Sequence, residues 1–160
     1  MKTVLSALGA ALLSCALMAP TAQAQRRDEK VGRVGNVDIV RVWEGGRFDR
    51  CYGLVPGIEG GFRVFWNVGR NYIITAPGVG TGQALAVAVT TPRGMVQTRG
   101  QIAGGRTVVT LNNQEAQQIM SLRGRFEVDV QGTIFPYQLQ GTTMEQVFVA
   151  VENCAHRNRT

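Results

Sequence analysis

The chain has 160 residues, 44% of them hydrophobic and 18% charged, with a net charge of +6. That length fits one domain with a single modest core. No stretch after the first 24 residues approaches about 20 consecutive apolar residues, so no transmembrane helix is expected there.

Residues 1–24 read as a signal peptide. Lys2 gives a positive n-region, residues 4–13 are uncharged and apolar, Pro20 breaks any helix, and Ala22-Gln23-Ala24 supplies the small residues of a cleavage site. The chain is therefore expected in the periplasm or secreted. A second reading stays open. Leu12-Leu13-Ser14-Cys15 has the shape of a lipobox, in which Cys15 is lipidated and the following residues become a tether. Cleavage after Ala24 removes only one charge, Lys2, and leaves fifteen arginines and Lys30 against eleven acids. The arginines are spread along the chain, whereas a nucleic-acid footprint is clustered on one element or face. Nucleic acid is not an expected partner; a weak association with anionic surfaces is. Cleavage also leaves two cysteines, Cys51 and Cys154, in an oxidising compartment, and a disulfide between them is expected.

In chain order, residues 25–35 are charged and poor in large apolar groups, and read as a flexible lead. A single β-rich domain is expected over 36–156, with a polar tail over 157–160. Residues 37–43 have strand composition, as do 49–55 up to Pro56-Gly57. Residues 62–68 are aromatic and β-branched, and 72–75 form another strand. The glycine-rich segment 77–82 reads as a plain hairpin or connection loop, lacking the GK[ST] ending of a phosphate loop. Residues 84–90, "ALAVAVT", are small and apolar, and read as buried on both faces or packed under a helix. Strands over 95–102 and 106–111 flank Ala103-Gly104-Gly105.

Asn112 with Glu115 forms a capping box for a short helix, and Gly124 is placed as its stop. Residues 125–130 alternate strictly, and 133–139 return as a hairpin partner, with Pro136 marking an edge or bulge position. A last helix begins at Thr142 or Thr143, each three residues from a Glu or Gln partner. Met144, Val147, Phe148, Val151 and Cys154 share its apolar face. Short strands and turns at even spacing predict a mainly β chain. The expected fold is an antiparallel sandwich or barrel-like meander with two short helices, the C-terminal one packed on the sheet.

Catalytic chemistry finds little support. The one histidine is His156, and after cleavage the one serine is Ser121, outside any G-x-S-x-G setting. No CxxC or HExxH spacing offers a metal site, and no cofactor is implied. Glu127 and Asp129 project from one face of a strand, which leaves open a hydrolase with an atypical carboxylate site; a polar outer face is the simpler reading. Phe65 and Trp66 are adjacent and point to opposite faces. An exposed Trp66 beside Arg63 and Arg70 is the candidate binding site.

The layout resembles the exported envelope proteins of alphaproteobacteria related to invasion-associated locus B. The residues that carry the resemblance are Trp43, then Cys51-Tyr52, and finally Leu139-Gln140-Gly141-Thr142 leading into a helix that ends at Cys154. It spans roughly residues 38–154. Met144-Glu145-Gln146 is bulkier and more polar than the Ala-rich helix of that group. The resemblance implies a small periplasmic or surface β protein with one disulfide and no catalytic residues. The function expected is noncatalytic binding of a protein or envelope partner. A secreted inhibitor of a lysozyme-like hydrolase is the alternative, although two basic proteins repel.

Overall fold

A computed structural model describes residues 25–66 and 71–158. The signal-peptide reading, Cys15 and Arg70 lie outside the described residues. Ten strands are present: β1 (Arg27–Val34), β2 (Val37–Glu44), β3 (Arg47–Val55), β4 (Phe62–Trp66), β5 (Tyr72–Pro77), β6 (Gln83–Thr91), β7 (Gly94–Ala103), β8 (Arg106–Leu111), β9 (Arg123–Val130) and β10 (Thr133–Thr143). Two α-helices join them, α1 (Asn113–Met120) and α2 (Met144–Arg157).

The strands form one antiparallel sheet in the order β1-β2-β3-β4-β5-β8-β7-β6-β9-β10, and its pairing does not close into a barrel. The mainly β expectation holds, with α2 packed on β2, β3 and β4. Of the two readings of the loop after β5, the connection holds and the hairpin does not: it carries the chain past two strand positions to β6, and β7 and β8 return to pair with β5.

The sheet curls so that one face encloses the core. Phe62 of β4 meets Phe126 of β9 and Tyr137 of β10, with ring centroids 5.3 and 5.6 Å apart. Val147, Phe148, Val151 and Cys154 of α2, with Ile119 of α1, fill the space between. Asn36, in the turn between β1 and β2, ties this rim to the far edge strand. Its backbone N–H donates to Gln140 O (3.0 Å), its amide to Gln138 O (2.8 Å), and its side-chain oxygen accepts from Gln140 N–H (2.8 Å). Gly35 precedes it at φ +58°, and a Cβ there would lie 2.2 Å from Gln140 O, so the close approach requires glycine.

Both capping boxes form, Asn112 with Glu115 and, of the two candidates for α2, Thr143 with Gln146. Cys51 of β3 and Cys154 of α2 stand as a disulfide, with Cα atoms 6.1 Å apart.

Four expectations change. Residues 27–34, expected within a flexible lead, form β1. The segment lacks apolar groups because it is an edge strand: a ladder to β2 and side-chain ion pairs hold it. α2 runs through Arg157, one residue into the expected tail, and Asn158 caps it while its amide donates to Cys154 O. α1 ends at Met120, earlier than Gly124. Ser121 and Leu122 fold back onto the last carbonyls, and buried Leu122 starts a new direction, leaving Gly124 within β9. Within residues 84–90 only Leu85, Val87 and Val89 are buried, while Ala84 and Ala86 are exposed. Alanine is small enough to sit on either face, so composition there hid the alternation.

Candidate functional site

Alternate residues of a strand share a face, so Arg63 and Phe65 leave β4 on the side opposite Phe62, Val64 and Trp66. Register extends that outer row. Tyr52 pairs with Phe65 and Leu54 with Arg63 on one flank; Ile73 pairs with Phe65 and Thr75 with Arg63 on the other. Val108 of β8 then stands opposite Thr75. Val40, Val42 and Tyr52 form a small apolar cluster on this face, with Leu54 and Phe65 packed against it. Arg26, Arg50, Arg63, Phe65, Ile73 and Arg106 are among the residues that line a groove here of about 590 Å³. That volume suits a small ligand.

The arginines differ in how their charge is met. Arg26 forks onto the Asp28 carboxylate at 2.8 and 3.1 Å, and the Tyr52 hydroxyl donates to the same carboxylate at 3.0 Å. The Arg26 hydrogen bond is the main reason that the Asp28 carboxyl is held below its ordinary value. Burial, and then the Asp28 bond, raise the Tyr52 phenol. Arg50 pairs with Asp49.

Arg106 donates only to neutral acceptors: Thr75 Oγ1 at 3.0 Å, the Glu59 carbonyl at 3.1 Å, and the carbonyls of Gly61 and Thr75. It thereby pins the 3-10 turn Ile58–Gly60 to β5. Burial, with the Arg63 charge beside it, lowers its pKa, yet a guanidinium remains a cation. Arg63 lies over the Tyr52 ring, its guanidinium carbon 5.3 Å from the centroid, and its Nε is buried with no hydrogen-bond partner. A Cβ on Gly60 would sit 3.3 Å from Arg106 Nη1 and 3.5 Å from Arg63 Nη2, so the two guanidiniums are neighbours. Among the described residues, neither has a carboxylate within ion-pairing distance. Two adjacent cations, partly removed from water and with no carboxylate in contact, Asp28 acting on Arg63 only from a distance, are stabilised by an anion between them.

Of the residues singled out from sequence, Arg63 lies in this groove. Trp66 contributes to its wall but offers no exposed ring: it is 5% exposed, with the ring 4.8 Å from that of His156. Phe65, its neighbour, is the half-buried aromatic on the groove side. Sequence reasoning missed Arg26, Arg50 and Arg106. The parity shared by Arg63 and Phe65 was the available signal; which other strands lay beside them was not readable before the β5–β8 pairing was known.

Asp129 and Ser121 have structural uses. The Asp129 carboxylate accepts the Gly132 N–H at 2.6 Å and shapes the β9–β10 turn, while Glu127 stands exposed opposite Pro136 on the edge strand. The Ser121 hydroxyl donates to Gln118 O at 2.6 Å. Among the described residues, no group of three or more His, Cys, Asp or Glu is placed to hold a metal ion, and no helix is long and apolar enough to cross a membrane. Set against known proteins, the chain matches no family model, no curated protein and no solved structure.

Proposed function

We propose that the chain is an exported, noncatalytic binding protein of the envelope, and that the arginine groove on the outer face of β3, β4, β5 and β8 is where it recognises an acidic partner. The observation that carries this reading is the Arg63–Arg106 pair, two neighbouring guanidiniums without a carboxylate. A cationic groove with apolar walls raises the local concentration of anions and speeds their capture. The signal-peptide pattern, the disulfide and the resemblance to the locus B-like envelope proteins support the same compartment and the same kind of role.

The test is a pull-down from periplasmic extract at low salt, with residues 25–160 as bait beside the Arg63→Glu variant. The expected result is a specific acidic partner retained by the wild-type chain and lost by the variant, with retention falling as salt rises. Equal retention by Arg63→Glu, or no specific partner with the wild type, overturns the reading.

A further inference from the structure

The groove combines two chemistries. Its charged part is the Arg63–Arg106 pair, next to the Gly60 backbone where no side chain blocks approach. Its apolar part is a half-buried row two residues further along the same strands: Phe65 and Ile73 are cross-strand partners, and Val108 lies diagonally beyond them, opposite Thr75. An inorganic anion would use only the first part and leave the row in water. A neutral hydrocarbon would use only the second and leave the two cations unmet. Burying apolar carbon on such a row is favourable for each methylene removed from water, and a charge-assisted bond to a guanidinium fork adds direction and strength.

Resting on the binding reading above, we propose that the ligand is an anionic single-chain amphiphile, with its acidic head on Arg63 and Arg106 and its apolar body along Phe65, Ile73 and Val108. Arg63 supplies the head-group contact through its Nη groups, for which no acceptor is found among the described residues and which, unlike the buried Nε, are not shut off from solvent, whereas most of Arg106's hydrogen-bonding capacity is already used in holding the 58–60 turn. Arg26 and Arg50 are each matched by their own carboxylate and set the rim. Phe65 does two jobs: it packs on Tyr52, with centroids 5.2 Å apart, and gives its outer edge to the groove.

Calorimetric titration of residues 25–160 distinguishes the cases, with three probes held below any micelle-forming concentration: octyl phosphate, octyl glucoside and inorganic phosphate. Octyl phosphate is expected to bind at least tenfold more tightly than either of the others. Arg63→Gln and Phe65→Ser are each expected to weaken it at least tenfold, and Arg50→Gln to change it little. Arg63→Lys keeps the charge but loses the fork, and an intermediate loss is expected. Far-ultraviolet circular dichroism and a thermal melt establish that each variant is folded; should Phe65→Ser fail, Ile73→Ser takes its place. Phosphate binding as tightly as octyl phosphate overturns the amphiphile and leaves the acidic-partner reading standing. Octyl glucoside binding as tightly as octyl phosphate overturns the head-group assignment. If no probe binds while the pull-down still shows an Arg63-dependent partner, the amphiphile fails and the binding function survives. If Arg63→Gln binds octyl phosphate like the wild type, the Arg63 assignment fails with the proposal.

Discussion

Gly53 is the residue on which the seating of α2 depends. It lies in β3 directly under the helix, two residues from Cys51 and on the same face. A Cβ there would stand 2.6 Å from Val147 Cγ1 and 3.3 Å from a Val151 methyl. Both valines are fully buried, and a β-branched side chain has few rotamers with which to retreat. The added methyl therefore pushes the helix. Gly53→Ala is expected to destabilise the protein by about 1–3 kcal/mol, the usual cost of overpacking. The measurement is the midpoint of urea unfolding. Gly32→Ala is the control, because nothing lies within 4 Å of its added Cβ. A midpoint unchanged in Gly53→Ala would show that α2 is not held against β3 as described.

At the scale of elements, β1 depends on charge where the other strands depend on apolar contact. Its carboxylates and those of β2 carry the pairing: Arg33 and Lys30 meet Asp38 at 2.7 and 2.8 Å, and Arg41 meets Glu29 at 2.9 Å. The hydrogen bond from Arg33 leads in lowering Asp38, that from Arg41 in lowering Glu29, and that from Arg26 in lowering Asp28. A carboxyl lowered in the folded state stabilises that state above its ordinary pKa and loses this contribution as pH falls through the lowered value. The support for β1 is thus complete above about pH 4 and disappears below it. These groups are largely exposed, so each contribution is small, and the effect is expected at β1 and not throughout the protein. Hydrogen exchange, corrected for intrinsic rates, should show amides 27–34 losing protection in acid while β4, β5 and β9 keep theirs. Uniform protection into strong acid would mean that the backbone ladder alone holds the strand. The same physics explains why β1 read as a lead. Sequence periodicity reports which side chains are buried, and β1 buries almost none; its partners Asp38 and Arg41 lie on another strand. By contrast β9, with Phe126, Val128 and Val130 inward, and α2, with its single apolar face, were legible because burial and local spacing agree there. The groove was half legible for a related reason. Arg63 was visible as a cation beside aromatics, but Arg106 reaches it only through the non-sequential pairing of β8 with β5.

The whole molecule is a single curled sheet whose two ends are sequence-distant, and very little of its pairing is enforced by closure. What keeps the curl is the inward packing of β4 against β9 and β10, the Asn36 contacts with β10, and α2 laid across β2, β3 and β4. The Cys51–Cys154 bond acts on the last of these and spans 103 positions, nearly the length of the β domain. In the chain-entropy account, a loop of about 100 residues is worth roughly 4.7 kcal/mol, drawn from the unfolded chain and not from any native contact. A domain of this size has only about 5–15 kcal/mol to lose. Reduction is therefore expected to lower unfolding free energy by about 3–5 kcal/mol, measured by urea unfolding with and without reductant. The Cys51→Ala/Cys154→Ala double variant should match the reduced protein, apart from a small cavity term. Because the bond acts on the unfolded state, the folded sheet and the groove should survive reduction, even though Ala155 of α2, next to Cys154, is among the residues lining the groove, and binding should persist wherever the protein remains folded. A loss below about 1 kcal/mol would mean that the unfolded chain already keeps α2 near β3. A loss of binding in reduced but folded protein would mean that the bond is needed to hold the Ala155 end of α2 where it lines the groove.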